Sequence, residues 1–138
     1  MITIKFRGKD IETGEWIYGD LIQRMGYYPA ILTTYPTDEG KVGYAERAVK
    51  EDTVGQFSTL RDKNGKEIYA GDIIRAGEEK TLLEVRFVRG VFAFLWNGDL
   101  DDEFPCNAPT QEWAEVVGNI HDNPKMIKRK NKLLNDDN

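Results

Sequence analysis

Thr81-Leu82-Leu83-Glu84-Val85-Arg86-Phe87-Val88-Arg89-Gly90-Val91-Phe92-Ala93-Phe94-Leu95-Trp96-Asn97-Gly98 is the stretch whose reading decides the fold class. β-Branched and aromatic residues dominate it. Val85-Arg86-Phe87 and Phe92-Ala93-Phe94 alternate with the period of two that a half-buried strand requires. Arg89-Gly90 stands where a tight turn is needed, and Asn97-Gly98, a pair that tolerates positive φ, ends the second run. The stretch reads as one long antiparallel hairpin, Thr81 to Val88 and Val91 to Trp96.

The same grammar extends outward. Asp62-Lys63-Asn64-Gly65 supplies another tight turn, Ile68-Tyr69 resumes extended structure, and Gly71-Asp72 leads into Ile73-Ile74-Arg75. Nearer the N-terminus the pattern predicts strands at about Ile2 to Arg7, Trp16 to Arg24, Tyr28 to Thr34 and Tyr44 to Val49. Glu12-Thr13-Gly14 and Thr37-Asp38-Glu39-Gly40 turn between them. A last strand is expected from Trp113 to Asn119. An internal echo links Gly14-Glu15-Trp16-Ile17-Tyr18-Gly19-Asp20 to Gly65-Lys66-Glu67-Ile68-Tyr69-Ala70-Gly71-Asp72: a turn, a short aromatic strand, a Gly that permits a bend, and an Asp starting the next strand. After Asn123-Pro124, Lys125 to Leu134 reads as a helix carrying Met126, Ile127, Leu133 and Leu134 on one stripe. The expectation is a mainly β chain forming a small antiparallel barrel with a short C-terminal α-helix. It has one domain over residues 1–124, in two parts of about 1–50 and 51–124, followed by a basic helix or tail over 125–138.

The chain has 138 residues, 40% of them hydrophobic and 15 aromatic (3 Trp, 6 Tyr, 6 Phe), enough for a core without covalent staples. One cysteine excludes an intrachain disulfide. No apolar run has the length of a signal peptide or a membrane span, so a cytoplasmic protein without membrane contact is expected. The net charge of −5 is uneven: residues 125–138 hold five Lys/Arg and two Asp, which leaves −8 on residues 1–124. An acidic body repels the phosphate backbone and disfavours a nucleic-acid-coating role.

Reactive side chains are scarce. With one His (His121), one Cys (Cys106) and one Ser (Ser58, outside any Gly-x-Ser-x-Gly elbow), neither a serine hydrolase nor a Cys–His dyad has a supporting signature. One Cys and one His cannot complete a four-ligand structural zinc site. Asp99-Leu100-Asp101-Asp102-Glu103 lacks the spacing of a calcium loop and reads as a solvated acidic loop, with a carboxylate–metal hydrolase as the remote alternative. Neither common phosphate-binding glycine loop occurs. No catalytic residue, metal ligand or cofactor site is therefore expected. Candidate contact residues are the aromatics Trp16, Tyr18, Tyr69 and Trp96, which mark a binding surface if exposed. Arg75, Arg86 and Arg89 join them as cations beside aromatic strands, the makings of a base-stacking platform.

The segment Val54-Gly55-Gln56-Phe57-Ser58-Thr59-Leu60-Arg61-Asp62-Lys63-Asn64-Gly65-Lys66-Glu67-Ile68-Tyr69-Ala70-Gly71-Asp72-Ile73-Ile74 resembles the YopX family of phage and prophage proteins. Lys5-Phe6-Arg7-Gly8-Lys9 with Trp16-Ile17-Tyr18-Gly19-Asp20 resembles the family's opening, and Val116-Val117-Gly118-Asn119-Ile120-His121-Asp122-Asn123-Pro124 its closing motif. The resemblance implies an SH3-like barrel in the C-terminal part and no established reaction. One position departs from it: Ser58-Thr59-Leu60 stands where the family usually has Thr-Gly-Leu, which implies that residue 59 need not adopt positive φ here. The functional expectation is a non-enzymatic binding or self-assembly module, acting as a homo-oligomer or with a protein partner. A nucleic-acid-associated accessory factor is the alternative.

Overall fold

Two turns led by a buried aspartate organise the chain. In the computed structural model, which describes residues 3–77, 81–99, 103–105 (backbone only) and 109–127, Asp10 Oδ1 accepts the N–H groups of Glu12 (2.8 Å) and Thr13 (3.2 Å). Asp62 Oδ1 accepts those of Asn64 (2.9 Å) and Lys66 (2.8 Å). Each turn closes on a glycine in the left-handed region, Gly14 (φ 76°) and Gly65 (φ 79°). A similar turn device thus precedes each copy of the sequence echo: an Asp, four residues before Gly14 and three before Gly65, takes backbone donors of the tight reversal.

The chain divides into two compact units, Met1–Thr59 and Leu60–Asn138. In the first, β1 (Phe6–Lys9), β2 (Trp16–Ile22), β3 (Ala30–Pro36), β4 (Val42–Ala48) and the start of β5 (Gly55–Arg61) form an antiparallel sheet in the order β4-β3-β2-β1-β5. A short 3-10 turn at Glu51–Thr53 precedes β5. Lys9 pairs with Trp16 and Arg7 with Tyr18 on β1–β2, while β3 and β4 pair along their full length from Ala30↔Ala48 to Pro36↔Val42. Ile31, Val49 and Phe57 are buried. Gly19 is obligatory: a Cβ there would fall 2.0 Å from the Leu32 carbonyl oxygen.

In the second unit, β6 (Glu67–Tyr69) pairs with the end of β5, and β7 (Asp72–Ala76), β8 (Thr81–Val88), β9 (Val91–Trp96), β10 (Glu103–Pro105) and β11 (Ala114–Asn119) make a five-stranded sheet ordered β10-β9-β8-β7-β11. The hairpin read from Thr81 to Trp96 is present with Val88↔Val91 flanking its turn. Arg89 (φ 49°) and Gly90 (φ 83°) are both left-handed, as a two-residue hairpin loop requires. Ile68, Ile74, Leu83, Val85, Phe94 and Ala114 form the core. Trp113, from the one-turn helix α1 (Thr110–Trp113), meets Phe94 edge to face at 5.4 Å. Asp62 Oδ2 accepts the Val116 N–H at 2.9 Å, so one carboxylate shapes the β5–β6 turn and holds β11.

The mainly antiparallel β class is observed, but the expected barrel is not closed. Among the described residues β10 pairs only with β9 and β11 only with β7, leaving an open sheet. β1 begins at Phe6 rather than Ile2. β5 was not legible as a strand because its apolar residues, Phe57 and Leu60, are three apart and break the period of two. Thr59 resets that phase at φ 71°. The inference from the Gly-to-Thr departure is therefore overturned: residue 59 keeps the left-handed backbone despite its β-branched side chain. Of the expected C-terminal helix, Lys125 to Ile127 form turn and bend, and residues 128–138 lie outside the described residues.

A β-branched residue in the left-handed region stores on the order of 1–3 kcal/mol, part of which glycine returns as unfolded-state entropy. Thr59→Gly is expected to stabilise the protein by about 0.5–1 kcal/mol, read as a melting temperature a few degrees higher; a lower one contradicts the strain. Burial raises the Asp62 carboxyl pKa, but the N–H bonds from Val116, Lys66 and Asn64 outweigh it and hold the group below its ordinary value. The Glu12 N–H bond, opposed by burial and aided by Thr13 and Arg47, does the same for Asp10. Their stabilisation is complete above the ordinary carboxylate pKa of about 4 and is lost as pH falls through the lower native values. Asp62→Asn should cost about 1–3 kcal/mol at neutral pH and flatten the acid limb of a urea-denaturation series. An unchanged limb would contradict the role given to Asp62.

Candidate functional site

The residues singled out from sequence do not converge on one platform. Trp16 on β2 is half-buried, with the Arg7 guanidinium 4.5 Å and the Lys9 ammonium 5.6 Å from its ring centroid. β1 delivers both cations because Arg7 and Lys9, two apart, share the face that Trp16 and Tyr18 occupy in the register. Tyr18 is exposed. Tyr69 is 2% exposed and belongs to the interior, which corrects its candidacy as a contact residue. Its hydroxyl donates to Glu67 Oε1 at 3.1 Å and its N–H to Asp72 Oδ2 at 2.8 Å. Trp96 is exposed at the end of β9, opposite Leu83.

Two of the three candidate arginines, Arg75 and Arg86, are engaged by acids. Arg75 binds Glu115, its cross-strand neighbour on β11, through Nε (3.2 Å) and Nη2. Arg86 binds the buried Glu84 through Nε (3.0 Å) and Nη2 (2.7 Å). The register places Arg75, Glu84 and Arg86 on one sheet face and the Phe87–Phe92 pair, ring centroids 5.0 Å apart, on the other. The cation-beside-ring arrangement of a base-stacking platform is thus not assembled there. Arg89 occupies the hairpin turn. Asp101 and Asp102 of the acidic run lie outside the described residues, as does Cys106. Among the described residues no three His, Cys, Asp or Glu side chains gather as a metal site, and no helix is long and apolar enough to cross a membrane.

What the structure does show on the first unit is a set of exposed tyrosines, which the register divides between the two sheet faces: Tyr18 and Tyr44 on one, Tyr35 on the other. Tyr18, Tyr27, Tyr28, Tyr35 and Tyr44 are between 43% and 76% exposed, with Met25 at 98% and Val42 at 61%. The β2–β3 loop raises Met25, Tyr27 and Tyr28 around Gly26 (φ 81°). A bidentate pair ties its base: Arg24 Nη1 and Nη2 donate to Glu46 on β4 at 3.0 and 2.6 Å. That bond raises the arginine pKa and lowers the glutamate pKa. Both groups are open to water, so the pair positions the loop more than it stabilises the fold. Beside it lies a cleft of about 210 Å³ lined by Leu21, Tyr27, Pro29 and Val54 with Arg24 and Glu51. This is below the roughly 300–1,000 Å³ of a small-molecule pocket. On β3–β4, Tyr35 lies across Gly43, where a Cβ would come within 2.4 Å of its ring.

Sequence reasoning missed Met25, Tyr27, Tyr28, Tyr35 and Tyr44. A signal was available at the loop, since Met25-Gly26-Tyr27-Tyr28-Pro29 places large apolar groups around a turn glycine where polar ones are the rule. Tyr28, Tyr35 and Tyr44 were absorbed into or beside strands, where an aromatic reads as core.

The family model described as YopX protein matches residues 5–128. Among solved structures, protein EF1440 from Enterococcus faecalis is similar at a TM-score of 0.58 and 19% identity, covering 93% of this chain and 100% of that one. YopX from Bacillus subtilis is similar at a TM-score of 0.49 and 19% identity, covering 93% and 98%. None of the curated proteins matches the chain.

The partition of the tyrosines is directly measurable. Tetranitromethane treatment of the native protein, followed by peptide mass mapping, should nitrate Tyr18, Tyr27, Tyr28, Tyr35 and Tyr44 and spare Tyr69 until the protein unfolds. Protection of the loop tyrosines, or early modification of Tyr69, would contradict the exposure described.

Proposed function

Given that this chain belongs to the YopX family, we propose that it is a phage- or prophage-encoded, non-enzymatic binding or assembly module of the host cytoplasm, and that its first unit makes the contact, led by Met25, Tyr27 and Tyr28 of the β2–β3 loop. One observation carries the reading: five of the six tyrosines, with a nearly fully exposed methionine, stand in water on one unit. Tyrosine brings large contact area at low rotamer-entropy cost and a hydroxyl that stays satisfied when wet, which is why protein-contact surfaces are enriched in it. The acid-engaged arginines and the acidic body weigh the reading toward a protein partner rather than nucleic acid.

Affinity capture from cells in which the chain is naturally expressed, with and without nuclease, tests this against a Met25→Ser/Tyr27→Ser/Tyr28→Ser variant. The reading expects a captured protein that survives nuclease and is lost with the variant. Capture abolished by nuclease, or equal with both forms, overturns it.

A further inference from the structure

We infer that β4 pairs edge to edge with β4 of a second copy of this chain, in antiparallel register about a two-fold axis at Tyr44. The inference rests on the reading of the first unit as the one that makes contact and names one partner for it. β4 is the edge of its sheet among the described residues. At the two ends of its pairing with β3, Thr37 N–H reaches Lys41 C=O and Val49 N–H reaches Pro29 C=O, both at 2.9 Å. Between these ends the register makes Gly43, Ala45 and Arg47 the residues that exchange hydrogen bonds with β3. The N–H and C=O groups of Val42, Tyr44 and Glu46 therefore point outward.

The far end of that edge is occupied. Ile11 N–H donates to Ala48 C=O at 3.0 Å and Lys50 N–H to Lys9 C=O at 2.9 Å. The outward edge open to a partner is thus three hydrogen-bonding residues long. With the axis at Tyr44, Tyr44 faces its own copy and Val42 faces Glu46 of the other chain, so all six outward groups of each strand are used and none beyond them. Shifting the axis to Ala45 would require the Ala48 carbonyl that Ile11 already takes.

Side chains support the same register. Each Gly43 falls opposite Ala45 of the other copy, two small residues in the pairing that does not exchange hydrogen bonds, where strands approach most closely. Tyr35 lies across Gly43 with its ring and hydroxyl within 2.4–2.8 Å of where a Cβ would stand, so its phenol reaches over the strand toward that small residue. Val42, Gly43, Tyr44 and Ala45 carry none of the charges, prolines or bulges that guard natural edges, and the one charge on the open edge, Glu46, is paired with Arg24 of its own chain. Glu46 meets Val42 rather than another carboxylate. Three residue pairs with their flanking tyrosines bury less than the roughly 1,200 Å² of a standard interface, so the dimer is of the weak, reversible kind.

Sedimentation equilibrium of the full chain up to high micromolar concentration is expected to show a monomer–dimer equilibrium. Tyr44→Pro removes only an outward N–H and leaves the β3–β4 ladder intact, and should weaken the dimer by about tenfold or more. In a Cys106→Ser background, Tyr44→Cys should form an intermolecular disulfide on mild oxidation, because hydrogen-bonded antiparallel partners stand about 5.5 Å apart at Cα; Ala45→Cys should not. A monomer at every concentration overturns the inference, as does a dimer indifferent to Tyr44→Pro or one that cross-links through Ala45→Cys. None of these outcomes alters the capture experiment, which judges the contact reading independently.

Discussion

Buried carboxylates that collect backbone N–H groups hold this chain in its turns, and the strand order depends on them. Asp62 takes three such donors, two inside the β5–β6 turn and one from β11, so a single side chain fixes the turn and anchors an edge strand more than fifty residues away in sequence. Asp10 does the local half of that work at the β1–β2 turn and adds an ion pair with Arg47 at 2.7 Å. Without these acceptors the N–H groups of the two reversals would lose their protein partners, and β11 would lose the bond that ties Val116 to the β5–β6 turn.

The long hairpin and the Asp62-led turn were legible because they obey local rules: alternation, a glycine that takes positive φ, and a short acceptor side chain in front of it; the first turn was legible at Glu12-Thr13-Gly14, without the part that Asp10 plays in it. β5 was not, because Thr59 shifts its phase in mid-strand, and only the dihedral angles reveal that Phe57 and Leu60 serve different units. Closure of a barrel was likewise beyond sequence, since it depends on which strand edges meet. Asp62 was read as a turn residue, which it is. Its second bond, to Val116, joins residues that no local pattern connects.

The contact surface shows the opposite kind of failure. Tyr28, Tyr35 and Tyr44 sit in or next to stretches of strand propensity, and the default reading of an aromatic there is burial. Tyr69 meets that default and Tyr44 breaks it, though each follows the same alternating grammar. The difference is topological: Tyr69 is enclosed within the second unit, whereas Tyr44 stands on the exposed face of β4, which among the described residues has a strand on one side only. Arg75 and Arg86 err the other way, for each finds a glutamate on its own sheet face.

An exposed strand edge beside exposed tyrosines is a liability unless something uses it, and its use by a second copy would join the fold directly to the proposed role in binding and assembly. Amide exchange along β4, followed by NMR at increasing protein concentration, probes that claim at the atoms concerned. The account predicts that Gly43, Ala45 and Arg47 are protected at all concentrations, while Val42, Tyr44 and Glu46 exchange freely in dilute solution and become protected together as the concentration rises. Free exchange of Val42, Tyr44 and Glu46 throughout, or their protection in dilute solution, would contradict it.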